Sequence, residues 1–179
     1  MLSSVNLQRE NRRKLHTANV LFVCMGNICR SPIAEGVFRA LVANAGLSER
    51  IIVDSAATHD YQLGEPPDRR AIAHARRRGY DLPGRCARRV EGDDFRRFEW
   101  ILAMDMDNLR VLHGLRPGDY TGYLGLFLDF NPGLGALEVP DPYYGAPQDF
   151  ERVLDLAERG AAGLLDVIRA TFVAYEADD

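Results

Sequence analysis

The chain begins with a polar stretch and then changes character abruptly. Residues 1–18 carry Arg9, Arg12, Arg13 and Lys14 and contain no apolar core of the kind a secretory leader needs, so they read as a flexible N-terminal extension. Val20-Leu21-Phe22-Val23 follows as a short continuous apolar run, the pattern of a strand buried on both faces. Behind it, Pro32 suits the first turn of a helix. Ile33, Val37, Phe38, Leu41 and Val42 keep helical spacing up to Gly46, which reads as a stop. The alternation then recurs. Ile51-Ile52-Val53 predicts a second buried strand, 68–78 a helix closed by Gly79, and 93–98 a helical turn. Residues 100–104 predict a third strand, 107–113 a helix, 123–127 a fourth strand, and 148–175 a long closing helix. Strands alternating with helices imply an α/β fold: a single domain over 19–179, built on a four-stranded parallel twisted sheet with helices on both faces.

Composition adds constraints. The 179 residues suffice for one domain with a substantial core. The formal net charge of −4 gives no general case for nucleic-acid binding, and no stretch has the apolar length of a membrane span. Three cysteines, Cys24, Cys29 and Cys86, are an odd number and do not form a secreted disulfide framework. The expectation is a cytoplasmic protein whose thiols stay reduced.

The candidate chemistry lies directly after the first strand, in Cys24-Met25-Gly26-Asn27-Ile28-Cys29-Arg30-Ser31. A Cys followed six places later by an Arg is weak evidence in an arginine-rich chain. Its setting is stronger. A buried strand delivers Cys24, Gly26 permits a tight turn, and a helix opens behind. The N–H groups of Met25, Gly26, Asn27, Ile28, Cys29 and Arg30 are therefore placed to form an anion nest at a helix N-terminus, outside the carboxyl end of a strand. Such a field favours the thiolate form of a thiol at its centre. Arg30 offers a planar fork to two phosphate oxygens, and the Ser31 hydroxyl is positioned to donate to the thiolate. The bland alternative is an inert buried cysteine. A nucleophile acting on a phosphate ester also needs an acid for the leaving oxygen, and Asp141 in Val139-Pro140-Asp141-Pro142-Tyr143-Tyr144-Gly145 is the best candidate, held between two prolines. Taken alone, Asp-Pro is equally a turn former.

With both segments in view, the chain resembles the low-molecular-weight protein tyrosine phosphatases from about Val20 to Phe172. The likeness includes VLFVCMGNICRSPIAE (20–35), VDSAAT (53–58), GEPPDR (64–69), Met104-Asp105 with Asn108-Leu109, and Asp141 to Gly145. It implies a phosphoric monoester hydrolase with no metal and no cofactor. In that reaction Cys24 attacks phosphorus to form a cysteinyl-phosphate, Arg30 stabilises the transferring group, and Asp141 protonates the leaving phenol and then activates water. It further implies that Asn27, Ser31 and Ser55 support the loop, and that Tyr61, Tyr143 and Tyr144, with Ile28 at an apolar rim, wall the substrate slot. Phosphotyrosine proteins are the implied substrates, inorganic phosphate and vanadate the implied inhibitors, and a bacterial tyrosine kinase a partner by analogy. Arg85 stands where the family often has His, so the outer support of the loop is expected to differ.

Two other readings compete. A protein-arginine phosphatase of the same fold carries a small Thr where Ile28 stands, and a phosphotyrosine-binding module would need neither nucleophile nor acid. Cys29 is close enough to Cys24 in sequence to be its redox partner, or else is a small residue that fits the loop. Cys86 reads as structural, Trp100 as core, and His16, His59, His74 and His113 as core or surface residues without metal-ligand spacing. The pairs and runs at Arg69-Arg70, Arg76-Arg77-Arg78 and Arg88-Arg89 read as solvated faces.

Overall fold

The computed structural model describes residues 17–177. The predicted N-terminal extension therefore lies outside the described residues except at its last positions, and Ala18 already belongs to the first strand. Four strands form one parallel sheet: β1 (Ala18–Cys24), β2 (Ile51–Ala57), β3 (Trp100–Ala103) and β4 (Tyr123–Leu126), in the order β2-β1-β3-β4. The helices are α1 (Arg30–Asn44), α2 (Arg69–Arg77), the short α3 (Asp94–Arg97), α4 (Met106–Leu115) and α5 (Pro147–Ala177). None of the described helices is long and apolar enough to cross a membrane.

The apolar run of β1 has a direct cause. Val20, Phe22 and Cys24 point to the face covered by α1, α2 and α5, while Leu21 and Val23 point to the face covered by α3 and α4. Phe22 meets Phe38 of α1 edge-on at 5.7 Å and Phe127 at 5.0 Å, which ties β1 to the helical layer. α5 lies close against the 3₁₀ turn Phe127–Phe130 because Gly163 lacks a side chain: a Cβ there would come 2.1 Å from the Phe130 carbonyl oxygen.

Three expectations need correction. β2 is an edge strand, so Ile52 is 56% exposed instead of buried. Trp100 is only half-buried, packed among Tyr123 and Phe130 at the margin of the sheet. Cys86 is exposed and supports no core. In the basic runs Arg69, Arg70, Arg76, Arg77 and Arg89 are exposed, as expected, whereas Arg78 and Arg88 are half-buried in ion pairs. Arg78 pairs with Glu151, Asp155 and Glu158 of α5, and Arg88 with Asp54 and Asp94.

The chain leaves β1 toward β2 on one side and returns to β3 on the other. The segment after Cys24 therefore sits at the switch point, where parallel α/β sheets open a crevice.

Candidate active site

Both neighbours pin the end of β1. Thr58 N–H donates to the Cys24 carbonyl at 2.8 Å and Met104 N–H to the Val23 carbonyl at 3.0 Å. The chain then turns sharply. Asn27 adopts a left-handed conformation, φ +57°, which Asn tolerates better than most residues. Its N–H donates to Cys24 Sγ at 3.2 Å. The carbonyls of Met25 and Ile28 turn outward to accept from His59 and Asp68. α1 begins at Arg30, two residues before Pro32, with no side chain capping its first turn. Its positive end therefore faces the loop.

A hydrogen-bond chain runs beneath this loop. Glu35 is fully buried and is held by Arg39 at 3.0 Å and by Arg85. Its carboxylate accepts from the Ser55 hydroxyl at 2.6 Å. Ser55 Oγ in turn accepts from Asn27 Nδ2 at 2.9 Å, and Asn27 Nδ2 also donates to Ser31 Oγ at 2.9 Å. Every hydrogen upstream is then committed, so the Ser31 hydroxyl keeps its own proton to donate, with Cys24 Sγ at 3.1 Å and the Ala56 carbonyl at 3.4 Å within reach. Asn27 Oδ1 accepts from Arg88 N–H at 3.2 Å. Burial pushes the Glu35 carboxyl above its ordinary value, with Ser55, Arg85 and Arg39 opposing. Arg85 bridges Glu35 and Asp54, so the outer support at this position is a guanidinium between two carboxylates.

Arg30 is buried and points across the crevice. It donates to Asp105 at 2.5 Å, to the Val139 carbonyl at 3.2 Å and to Asp141 at 3.0 Å. Burial works against its charge, but Cys24, Asp141 and Asp105 outweigh that and hold Arg30 above its ordinary value. Asp105 has two tasks. One oxygen caps α4 through Asn108 N–H at 2.7 Å and the other orients Arg30. Asp141 likewise accepts from Tyr143 N–H at 3.1 Å with the oxygen not bonded to Arg30. Val139 N–H donates to the Met104 carbonyl at 2.8 Å, which ties this segment to the end of β3.

These groups line one slot of about 280 Å³, walled by Ile28, Tyr61, Gln62, Tyr143 and Tyr144 above Cys24 and Arg30. His59 stacks behind Tyr61 at 5.3 Å. The structure thus brings together Cys24, Asn27, Arg30, Ser31, Ser55 and Asp141 with the three tyrosines. Cys29 lies buried in the same slot as a free thiol; burial pushes it well up, and Asp68, Cys24 and Asp141 add to that. Sequence reasoning missed Glu35, Asp105 and Arg88. A signal existed for two of them: Glu35 is an acid within the apolar spacing of α1, and Asp105 is a helix cap at the carboxyl end of a strand.

A thiol that accepts a loop amide at the mouth of a helix, a guanidinium beside it and a carboxyl opposite define an α/β enzyme of the phosphate-handling type. Known proteins agree. Residues 19–174 match the family model for low molecular weight phosphotyrosine protein phosphatase. The human low molecular weight phosphotyrosine protein phosphatase is 43% identical over 152 residues, 84% of this chain and 95% of its own. A low molecular weight protein-tyrosine-phosphatase of Streptomyces coelicolor is 41% identical over 156 residues, 86% of this chain and 94% of its own. The crystal structure of a protein tyrosine phosphatase from Entamoeba histolytica superposes with a TM-score of 0.83 at 38% identity, covering 87% of this chain and 99% of that one. The chain belongs to the low molecular weight phosphotyrosine protein phosphatase family, and with it to the phosphoric monoester hydrolases.

Proposed function

We propose that the domain spanning 19–179 hydrolyses phosphotyrosine in proteins, and small aryl phosphates, through a cysteinyl-phosphate. The Cys24 thiolate forms the S–P bond as the P–O bond to the phenol breaks. The Asp141 carboxyl supplies the proton that the phenolic oxygen takes. Water then attacks phosphorus and gives its proton to the Asp141 carboxylate, and the S–P bond breaks to return thiolate and release phosphate. The Ser31 hydroxyl, left free by the chain from Glu35, steadies the departing sulfur. Arg30 and the amides of residues 25–30 hold the equatorial oxygens. Tyr61, Tyr143, Tyr144 and Ile28 form a slot that suits an aromatic ring more than a serine or guanidine side chain. Cys29, in the same slot, serves as the redox partner of Cys24.

One observation carries this reading: Cys24, Arg30 and Asp141, up to 117 residues apart, line a single slot in which Arg30 bonds Asp141. The test compares hydrolysis of phosphotyrosine, phosphoserine and phosphoarginine peptides by the wild type, Cys24→Ser and Asp141→Asn. Cys24→Ser should abolish turnover. Asp141→Asn should lose ~10²–10⁴-fold with poor leaving groups and less with good ones. A uniform loss would remove Asp141 from its role as acid. Preference for phosphoarginine would favour the arginine phosphatase, and vanadate binding without turnover would leave only a binding module.

A further inference from the structure

Asp68 stands where the phosphate loop, α2 and the slot wall meet. Its backbone N–H donates to the Ile28 carbonyl at 2.8 Å. Its carboxylate caps α2 by accepting from Arg70 N–H at 2.8 Å, and it also takes the Arg70 guanidinium on both oxygens, from Nε at 3.1 Å and from a terminal nitrogen at 2.8 Å. An ion pair two residues apart on a half-exposed helix end contributes little by itself. What distinguishes this one is where the clamped guanidinium lies. Its centre is 4.9 Å from the Phe150 ring and 5.6 Å from the Tyr143 ring. Both distances lie within cation–π reach.

The two rings differ in burial. Phe150 is fully buried and stacks on His74 of α2 at 5.5 Å and 11°, so it is a fixed anchor. Tyr143 is half-buried against the edge of the core in the turn that carries Asp141, and its N–H holds one oxygen of that carboxylate. Contacts therefore pass from the loop carbonyl of Ile28 through Asp68 and Arg70 to Tyr143, and from its N–H to Asp141. The Asp141 side chain itself is 44% exposed, and among the described residues it accepts hydrogen bonds from Arg30 and Tyr143 alone.

We infer that Arg70 is a positioning residue for the reaction: held flat by Asp68 and anchored on Phe150, it fixes the Tyr143 ring and, through the Tyr143 amide, the aim of the Asp141 carboxyl into the slot. The inference rests on the proposed function and adds to it a residue that touches neither phosphate nor the reacting atoms. It also gives the wall and the acid one common support, so both respond to a change in α2.

The test uses Arg70→Met, which keeps an apolar stem and removes the guanidinium, and Arg70→Lys, which keeps the charge without the flat fork. Turnover of p-nitrophenyl phosphate, a good leaving group, and phenyl phosphate, a poor one, is measured with the inhibition constant for vanadate. In Arg70→Met, kcat for phenyl phosphate should fall about tenfold while kcat for p-nitrophenyl phosphate falls about twofold or less, because only the acid has lost its aim. Vanadate inhibition should stay at the wild-type value, since the loop itself is intact. An equal fall for both esters, or no fall for either, overturns the inference, because a merely structural role would not separate leaving groups. If Arg70→Met does not fold, the same ratio is read in Arg70→Lys, where an unchanged ratio is equally decisive against it. A wild type inactive on both esters would instead bring down the proposed function, and this inference with it. Wild-type activity with an unaltered ratio in both variants would bring down the inference alone.

Discussion

Asn27 tests the loop most sharply, because one side chain and one backbone angle carry separable costs. It is buried, holds φ at +57°, and makes three side-chain hydrogen bonds: to Ser31 and Ser55 as donor and from Arg88 N–H as acceptor. Asn27→Ala removes all three. At about 1 kcal/mol net for each, and with the Arg88 N–H left unpaired, the loss is about 3–5 kcal/mol. A methyl-bearing residue at positive φ adds about 1 kcal/mol. Together these are a large fraction of the ~5–15 kcal/mol that holds an ordinary domain together. Asn27→Gly loses the same bonds but not the backbone term, so it should be the more stable of the two variants by about 1 kcal/mol. Urea midpoints, taken with the slope of the transition to check that it is unchanged, measure both losses. Turnover should fall in both because Ser31 and Ser55 lose the amide that holds them together beneath Cys24. A glycine variant no more stable than the alanine variant would refute the backbone part. A loss under about 1 kcal/mol in both would refute the network itself.

Two further outcomes follow from packing and charge. Gly163→Ala should destabilise the fold by about 1–3 kcal/mol, because the new methyl meets the Phe130 carbonyl, which is backbone and cannot step aside; thermal unfolding reads this directly, and an unchanged midpoint would mean α5 does not sit as close as described. Glu151 is held below its ordinary value by His74 and Arg78. The unfolded chain therefore binds more protons there, and the stabilisation is present above the unfolded pKa and lost as pH falls through the folded one. Glu151→Gln should accordingly be less stable than wild type near pH 7, with a gap that closes toward about pH 3. A gap that stays constant across that range contradicts the assignment.

How much could be read from the sequence depended on how local each cause was. Val20 to Val23 announced a strand buried on both faces because the burial is written into consecutive residues. Ile52 misled because its exposure is set by strand order, and nothing near it in sequence says that β2 lies at an edge. α1 was expected from Pro32 but starts at Arg30, since its orphaned first-turn amides face the loop and need no capping side chain. In the site, Cys24, Asn27, Arg30, Ser31, Ser55 and Asp141 were found through three segments, 20–35, 53–58 and 141–145, the second of them through the family resemblance alone. Glu35 and Asp105 were not, because each acts on a group far along the chain: Glu35 on Ser55, 20 residues away, and Asp105 on Arg30, 75 residues away. Within the basic runs, Arg78 was misjudged for the same reason, as the acids that pair with it lie over 70 residues downstream in α5.

The separation of Arg30 from its two carboxylates, 75 and 111 residues, also governs when reactivity arises during folding. The turn from Cys24 to Ser31 closes over a few residues and can form early. The guanidinium is aimed only after β3 has joined the sheet and Val139 has locked onto Met104, steps that require closing long loops and belong to the slow end of assembly. On the proposed mechanism, a chain still being synthesised, with Asp141 not yet made, carries the thiol but neither the acid nor the aimed guanidinium. Turnover is then expected to be gained late, as the property of a nearly finished molecule.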